Sequence, residues 1–159
     1  MSQAEEPYIV ESCSVSDLTE AERTRCLQLI GHGNAVSIRA ARRDFPRSLQ
    51  IAVARRKGHV VGVGAIKPVR EHAITVAELA HFPFDPDTPE LGYVVVDSPH
   101  RGNKLSSRMA KMLSEYPGQL FATTSDPSMK SALRGAGFID RGEEWTGRRG
   151  DMISLWIRS

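Results

Sequence analysis

The run Val94, Val95, Val96, Asp97, Ser98, Pro99, His100, Arg101, Gly102, Asn103, Lys104, Leu105, Ser106, Ser107 gathers residue types suited to an anion. Its apolar start predicts a buried strand, SPHRGNK a turn, and LSSRMAKMLSEY a helix. A strand that turns into a helix offers unpaired backbone N–H groups and the positive end of the helix dipole, and phosphate suits both. Arg101 adds a fixed charge, Gly102 lets the backbone come close, and Ser106 and Ser107 add hydroxyl donors where the helix begins. A strand, a turn with one glycine and a helix occur together in many α/β chains, so this pattern alone names a phosphate-sized guest and nothing finer.

Further polar residues lie around that segment. Glu90 heads the strand, either as a carboxylate whose pKa burial would raise or as an exposed strand-end acid. His100 has a suitable intrinsic pKa, but its place beside the turn favours a structural role. His32, His59 and His72 fall in loops or at element ends, whereas His81, next to the proline-rich HFPFDPDTP, is placed to meet a substrate. Thr123, Thr124 and Ser125 read as polar residues closing a strand.

The elements that position these groups follow from periodicity. Tyr8 to Val15 reads as a first strand, Ser16 or Asp17 caps a helix over LTEAERTRCLQLIG, and Asn34 caps a second helix that ends before Pro46. LQIAVARR and HVVGVGAIK form a hairpin across Lys57-Gly58. Glu71 to Ala80 suits a short helix, and the connection after it places Phe82 and Phe84 either at the core edge or on a substrate wall. In the helix after the phosphate turn, Leu105, Met109, Met112, Leu113 and Tyr116 share one face. QLFATTS is a strand, Asp126-Pro127 starts a helix that stops at Gly135 to Gly137, and FIDRGEEW and DMISLWIR form a closing antiparallel pair.

Composition sets the outer limits. The 159 residues suit one domain over 1–159, and 40% hydrophobic content suffices for a continuous core. Twenty-one basic against nineteen acidic side chains leave +2, well short of a dedicated nucleic-acid binder. Cys13 and Cys26 lack metal-ligand spacing and make no disulfide framework, which points to a reducing compartment. The N-terminus is acidic where a signal peptide is basic, and no apolar run reaches membrane-spanning length, so a cytoplasmic protein is expected.

The stretch VVVDSPHRGNKLSSRMAKML resembles the acetyl-CoA-binding motif of the GCN5-related N-acetyltransferases, a strand followed by Arg/Gln-x-x-Gly-x-Gly/Ala and a helix. LFATTSDPSMKSALRGAGF is similar to the next block of that family, ending at Gly137-Phe138. The resemblance covers roughly the second two thirds of the chain, by element order and spacing. It implies an α/β (α+β) fold with a mixed, mostly antiparallel sheet of about 6–7 strands flanked by about four helices, in the order β-α-α-β-β-(α)-β-α-β-α-β-β. Lys104 replaces the motif's usual central glycine, Ser106 its glycine or alanine, and Asp126 the asparagine common in the second block.

The same resemblance implies acetyl-CoA, or another acyl-CoA, as cofactor. Val94, Val95 and Val96 would offer main-chain groups to the pantetheine arm, with Arg101, Gly102, Asn103, Lys104, Leu105, Ser106, Ser107 and Asp126 around the diphosphate. Glu90 occupies a position like that of the family's glutamate base, and the usual tyrosine acid is replaced by Leu133, leaving Ser125, Thr124, Tyr93 or water to protonate the thiolate. The acceptor implied is a primary amine, small or macromolecular, attacking directly in a ternary complex, and a homodimer is an admissible assembly. Two other readings stand beside this one. One is an acyl-CoA-binding module without catalysis, which Leu133 and Lys104 favour. The other is a nucleic-acid-associated protein using Arg39, Arg42, Arg43, Arg148 and Arg149.

Overall fold

The computed structural model describes residues 7–33 and 37–159. Among these residues seven strands form one sheet in the order β1-β2-β3-β4-β5-β7-β6. They are β1 (Ile9–Cys13), β2 (Gln50–Arg56), β3 (His59–Lys67), β4 (Glu90–Val96), β5 (Leu120–Thr124), β6 (Ile139–Thr146) and β7 (Met152–Arg158). Every neighbouring pair is antiparallel except β4 and β5, which run parallel. The helices are α1 (Glu20–Gly33), α2 (Ile38–Asp44), α3 (Arg70–Leu79), α4 (Leu105–Leu113) and α5 (Pro127–Gly135). Among the described residues this is the expected mixed sheet with five helices in place of about four, the short helix before β4 being fully formed.

Local chemistry accounts for the boundaries. The cap of α1 is Thr19, not Ser16 or Asp17: Glu22 N–H donates to Thr19 Oγ1 at 3.1 Å while Thr19 N–H donates to Glu22 Oε1 at 3.0 Å. Asp17 serves the preceding single turn of 3-10 helix, Val15–Asp17, which shortens the first strand to Ile9–Cys13. The cap expected at Asn34 lies outside the described residues. Lys57 and Gly58 both have positive φ, as the tight β2–β3 hairpin requires. Asp126 caps α5 through Ser128 N–H, with Pro127 at the first helical position.

The sheet is covered on both faces. On one, α4 and α5 bury Leu105, Met109, Leu113, Leu133 and Phe138 against Leu91, Val96, Leu120 and Trp156. On the other, Leu18, Cys26, Leu29 and Ile30 pack with Phe45 on Ile51, Val53 and Val63, while Ala73 and Val76 of α3 pack on Phe121, Leu155 and Ile157. Phe82 and Phe84 join this last cluster, and the Phe84 and Phe121 ring centroids lie 5.0 Å apart, so the proline-rich connection plugs the core edge.

Candidate functional site

β4 and β5 share a single register pair, Glu90 with Phe121, and then diverge. The sheet therefore forks toward the C-terminal ends of these two parallel strands. On β4 the pairing with β3 also slips: Val63 faces Val95, but Ala65 faces Gly92, so β4 carries one extra residue. Tyr93 sits in that bulge with φ 54°. The extra residue breaks the alternation of side chains. Leu91, Val94 and Val96 pack toward α4, whereas Tyr93 and Val95 pack with Phe45 on the opposite face. Glu90, Gly92 and Tyr93 thereby gather on the face that carries α1, α2 and α3.

On the α4 face of the fork lies a cavity of about 830 Å3, lined by Val94, Val95 and Val96, His100, Arg101 and Gly102, Lys104, Leu105, Ser106 and Ser107, and Asp126, Ser128 and Ser131 of the α5 start. Of the residues the sequence assigned to a diphosphate and its arm, all but Asn103 line it. Asn103 turns away, donating to His100 O at 3.0 Å and to Tyr8 Oη at 3.3 Å. His100 is tied to the Tyr8 hydroxyl at 2.9 Å, in line with a structural role.

The turn has the backbone an anion needs. Arg108 is the first residue of α4 whose N–H reaches back into the turn, at Lys104 O. Among the described residues the amides of Gly102 to Ser107 donate to no acceptor. Gly102 has φ 87° and Lys104 φ 58°, so the chain passes twice through left-handed backbone within three residues. A Cβ on Gly102 would meet nothing within 4 Å, so its dihedral, and not close packing against protein, requires glycine there. Lys104 is strained for the same reason, which explains the glycine usual at its position. Arg101 folds back, its Nε donating to Val96 O at 3.3 Å.

On the opposite face the cluster is ionic. Glu90, its side chain 7% exposed, meets Lys67 Nζ at 3.0 Å and His72 Nε2 at 3.2 Å. Burial pushes the Glu90 carboxyl up, but Lys67 and His72 together outweigh it and hold the pKa down at about 2. The raised pKa expected for Glu90 is thus reversed, since the sequence did not reveal its two partners, the Lys67 ammonium and the His72 ring N–H. Burial pushes the Lys67 pKa down, but Glu90, with smaller contributions from Tyr93 and Asp44, leaves it raised overall, so the ammonium stays charged. Its Nζ stands 3.8 Å from the Tyr93 ring centroid. Gly92 leaves room for the pair, because a Cβ there would lie 2.8 Å from Lys67 Cε and 3.3 Å from Glu90 Oε1.

The three candidates for thiolate protonation separate. Burial raises the Tyr93 pKa, which keeps its phenol neutral and able to donate. Ser125 donates to Asp151 Oδ2 at 2.6 Å. Thr124 Oγ1 accepts from Asp126 N–H at 3.0 Å and shapes the β5–α5 corner. Leu133 is 0% exposed and belongs to the α4–α5 core. His81 does not join the cluster but binds Glu143 Oε2 of β6 at 2.6 Å. His72 meets Glu90 instead, and the sequence left it unassigned, as it did Lys67, Ser128 and Ser131. The available signal was positional: His72 lies in the first turn of the helix leading into β4, and Lys67 is an ionisable residue ending an apolar strand.

Among the described residues no group of acids, histidines and cysteines could hold a metal, and no helix is long and apolar enough to cross a membrane. No match to the chain was found among curated protein sequences. Solved structures share its fold at low identity. Escherichia coli ElaA superposes with a TM-score of 0.67 at 14% identity, covering 96% of this chain and 100% of its own. A GNAT acetyltransferase of Elizabethkingia anophelis with acetyl-CoA bound gives 0.60 at 9%, covering 96% and 97%. The ribosomal-protein-alanine N-acetyltransferase of Brucella melitensis gives 0.64 at 19%, covering 94% and 98%. The model of the acetyltransferase (GNAT) family matches residues 16–134, both the fork and the turn included, and the chain therefore belongs to the GNAT acetyltransferase family.

Proposed function

We propose that the chain, as one domain over residues 1–159, is an acyl-CoA-dependent N-acyltransferase that moves an acetyl group from acetyl-CoA to a primary amine, by direct attack with both substrates bound. The observation that carries this reading is the fork: one register pair joins β4 to β5, and beyond it a cavity of about 830 Å3 ends on the unpaired amides that open α4. A bound acetyl-CoA supplies an activated thioester carbonyl. The chain's own groups do the remainder. The amides of Gly102 to Ser107 and the α4 dipole hold the diphosphate, and Arg101 and Lys104 add charge. The free edge of Val94, Val95 and Val96 receives the pantetheine arm. Tyr93, whose phenol lies across β4 from the cavity on the acceptor face, is the group assigned to protonate the departing sulfur at the fork.

The acceptor enters from the face of α1, α2 and α3, where Glu90, Lys67 and Tyr93 lie. Structurally similar proteins include one named for acetylating an aminoglycoside and one named for a ribosomal protein's alanine, in keeping with an amine acceptor. The enzyme acts in the cytoplasm, where Cys13 and Cys26 remain free thiols. The test is release of free thiol from acetyl-CoA across a panel of primary amines, with mass-spectrometric detection of the acetylated product. Thiol release together with acetylated amine supports the reading.

One observation favours a second reading. Leu133 fills the core at the position where the family resemblance implies a tyrosine, so the chain would bind acyl-CoA without efficient transfer. Acetyl-CoA binding with no thiol release on any amine selects that module.

A further inference from the structure

We propose that His72, oriented by Glu90, is the group that takes the proton from the attacking amine. The inference rests on the acyltransferase reading and adds the base that reading lacks. Both oxygens of Glu90 are engaged, Oε1 by Lys67 and Oε2 by His72. So stabilised, the carboxylate is too weak a base to deprotonate an amine. An ionised carboxylate can only accept, so the proton of a neutral His72 sits on Nε2 and the lone pair falls on Nδ1. Carboxylate and imidazole thus fix one tautomer.

Exposure and position then single out His72. Its side chain is 50% exposed, against 7% for Glu90 and 15% for Lys67, so it is the member of the cluster that an amine arriving from solvent can touch. Its ring centroid lies 6.2 Å from that of Phe121, which pairs with Glu90 at the closed end of the fork. The charged groups acting on the imidazole are Glu90 from β4 and Lys67 from β3, and β5 presents the Phe121 ring. The Glu90 hydrogen bond raises the His72 pKa most, against burial and Lys67, so the imidazole becomes a stronger base than a free histidine.

In the step, the amine nitrogen forms its bond to the acyl carbonyl carbon as its proton passes to His72 Nδ1. The carbon–sulfur bond breaks and the sulfur takes the Tyr93 phenol proton. His72 then releases its proton to solvent, Tyr93 recovers one from solvent, and amide and thiol leave. Glu90 is a positioning residue, and Lys67 holds it ionised.

Two measurements test this: an NMR titration of the His72 imidazole, and the pH dependence of thiol release from acetyl-CoA with primary amines. In the wild type, kcat should fall on the acid side with the midpoint read for His72. His72→Gln keeps an N–H donor for Glu90. It should lower kcat about 100-fold or more and abolish the acid limb, while KM for acetyl-CoA stays within about twofold. Glu90→Gln should move the imidazole midpoint and the acid limb together to lower pH. An acid limb that persists in His72→Gln, a kcat loss below about threefold, or an imidazole midpoint unmoved by Glu90→Gln would overturn the assignment. So would a wild type that binds acetyl-CoA but transfers to no amine. Failure of the wild type to bind acetyl-CoA in calorimetry is a separate result and removes the acyltransferase reading itself.

Discussion

Glu90 faces Phe121 across the single register pair that joins β4 to β5, and both sides of the site are built outward from it. One residue of the pair anchors the Lys67 and His72 cluster, and the other supplies the ring beside which His72 sits. Beyond them the strands part over the cavity that ends on the α4 turn. Three residues further on, the Tyr93 bulge sets which side chains face the acceptor and which face α4.

The buried ion pair makes a pH prediction. Glu90 has a folded pKa of about 2 against an ordinary 4.5. A depressed carboxylate contributes stability that is present above its unfolded value and lost as pH falls through the folded one. Wild-type stability attributable to Glu90 should therefore be full above about pH 4.5 and fade toward pH 2. Chemical denaturation across that window should show a flatter acid limb for Glu90→Gln than for the wild type. Matching limbs would refute the charge assignment.

Lys67→Met removes one partner and leaves the Glu90 carboxylate buried with only His72 to compensate. Breaking such a pair costs about 3–5 kcal/mol, so a clear loss of stability at neutral pH is expected. The loss should shrink in acid, where the abandoned carboxylate can protonate. Urea unfolding at two pH values reads both effects.

The left-handed backbone of Lys104 predicts an unusual gain. Glycine tolerates φ 58° without the side-chain penalty of about 1–2 kcal/mol, part of which returns as greater freedom of the unfolded chain. Lys104→Gly should raise Tm by about 2–4 °C, corresponding to about 1 kcal/mol. Lys104→Val should lower it, and differential scanning calorimetry distinguishes the two.

Leu133→Tyr would place a phenol into a fully buried site. Overpacking of this kind costs about 1–3 kcal/mol. Loss of stability without any rise in thiol release is the expected outcome. A faster enzyme would show that the acid belongs on α5 after all, and would displace Tyr93 from that role.

The phosphate turn was legible because its chemistry is local. Arg101, Gly102 and the serines follow one another, and the main-chain donors come with any helix start. The β2–β3 hairpin and the α4 face were legible for the same reason, through Lys57-Gly58 and the spacing of Leu105, Met109 and Leu113. The Glu90 environment was not, because its partners come from 23 positions upstream at Lys67 and 18 at His72 and meet it only across strand pairing and helix packing. Nor does a pattern of alternating residues reveal a bulge, so the turning of Tyr93 away from α4 appears only in the register of β3 against β4. The partner of Ser125 was hidden for a similar reason, since Asp151 reaches it from the β6–β7 turn.

The central claim is that the turn opening α4 receives the diphosphate of an acyl-CoA. Isothermal titration calorimetry with acetyl-CoA on the wild type and on Gly102→Pro tests it most directly, because proline cannot adopt φ 87° and removes an amide donor from the turn, away from the packed core. Saturable one-to-one binding by the wild type, lost in a Gly102→Pro protein whose circular dichroism is unchanged, is the predicted result. A wild type that does not bind acetyl-CoA, or a variant that binds it equally well, would contradict the account.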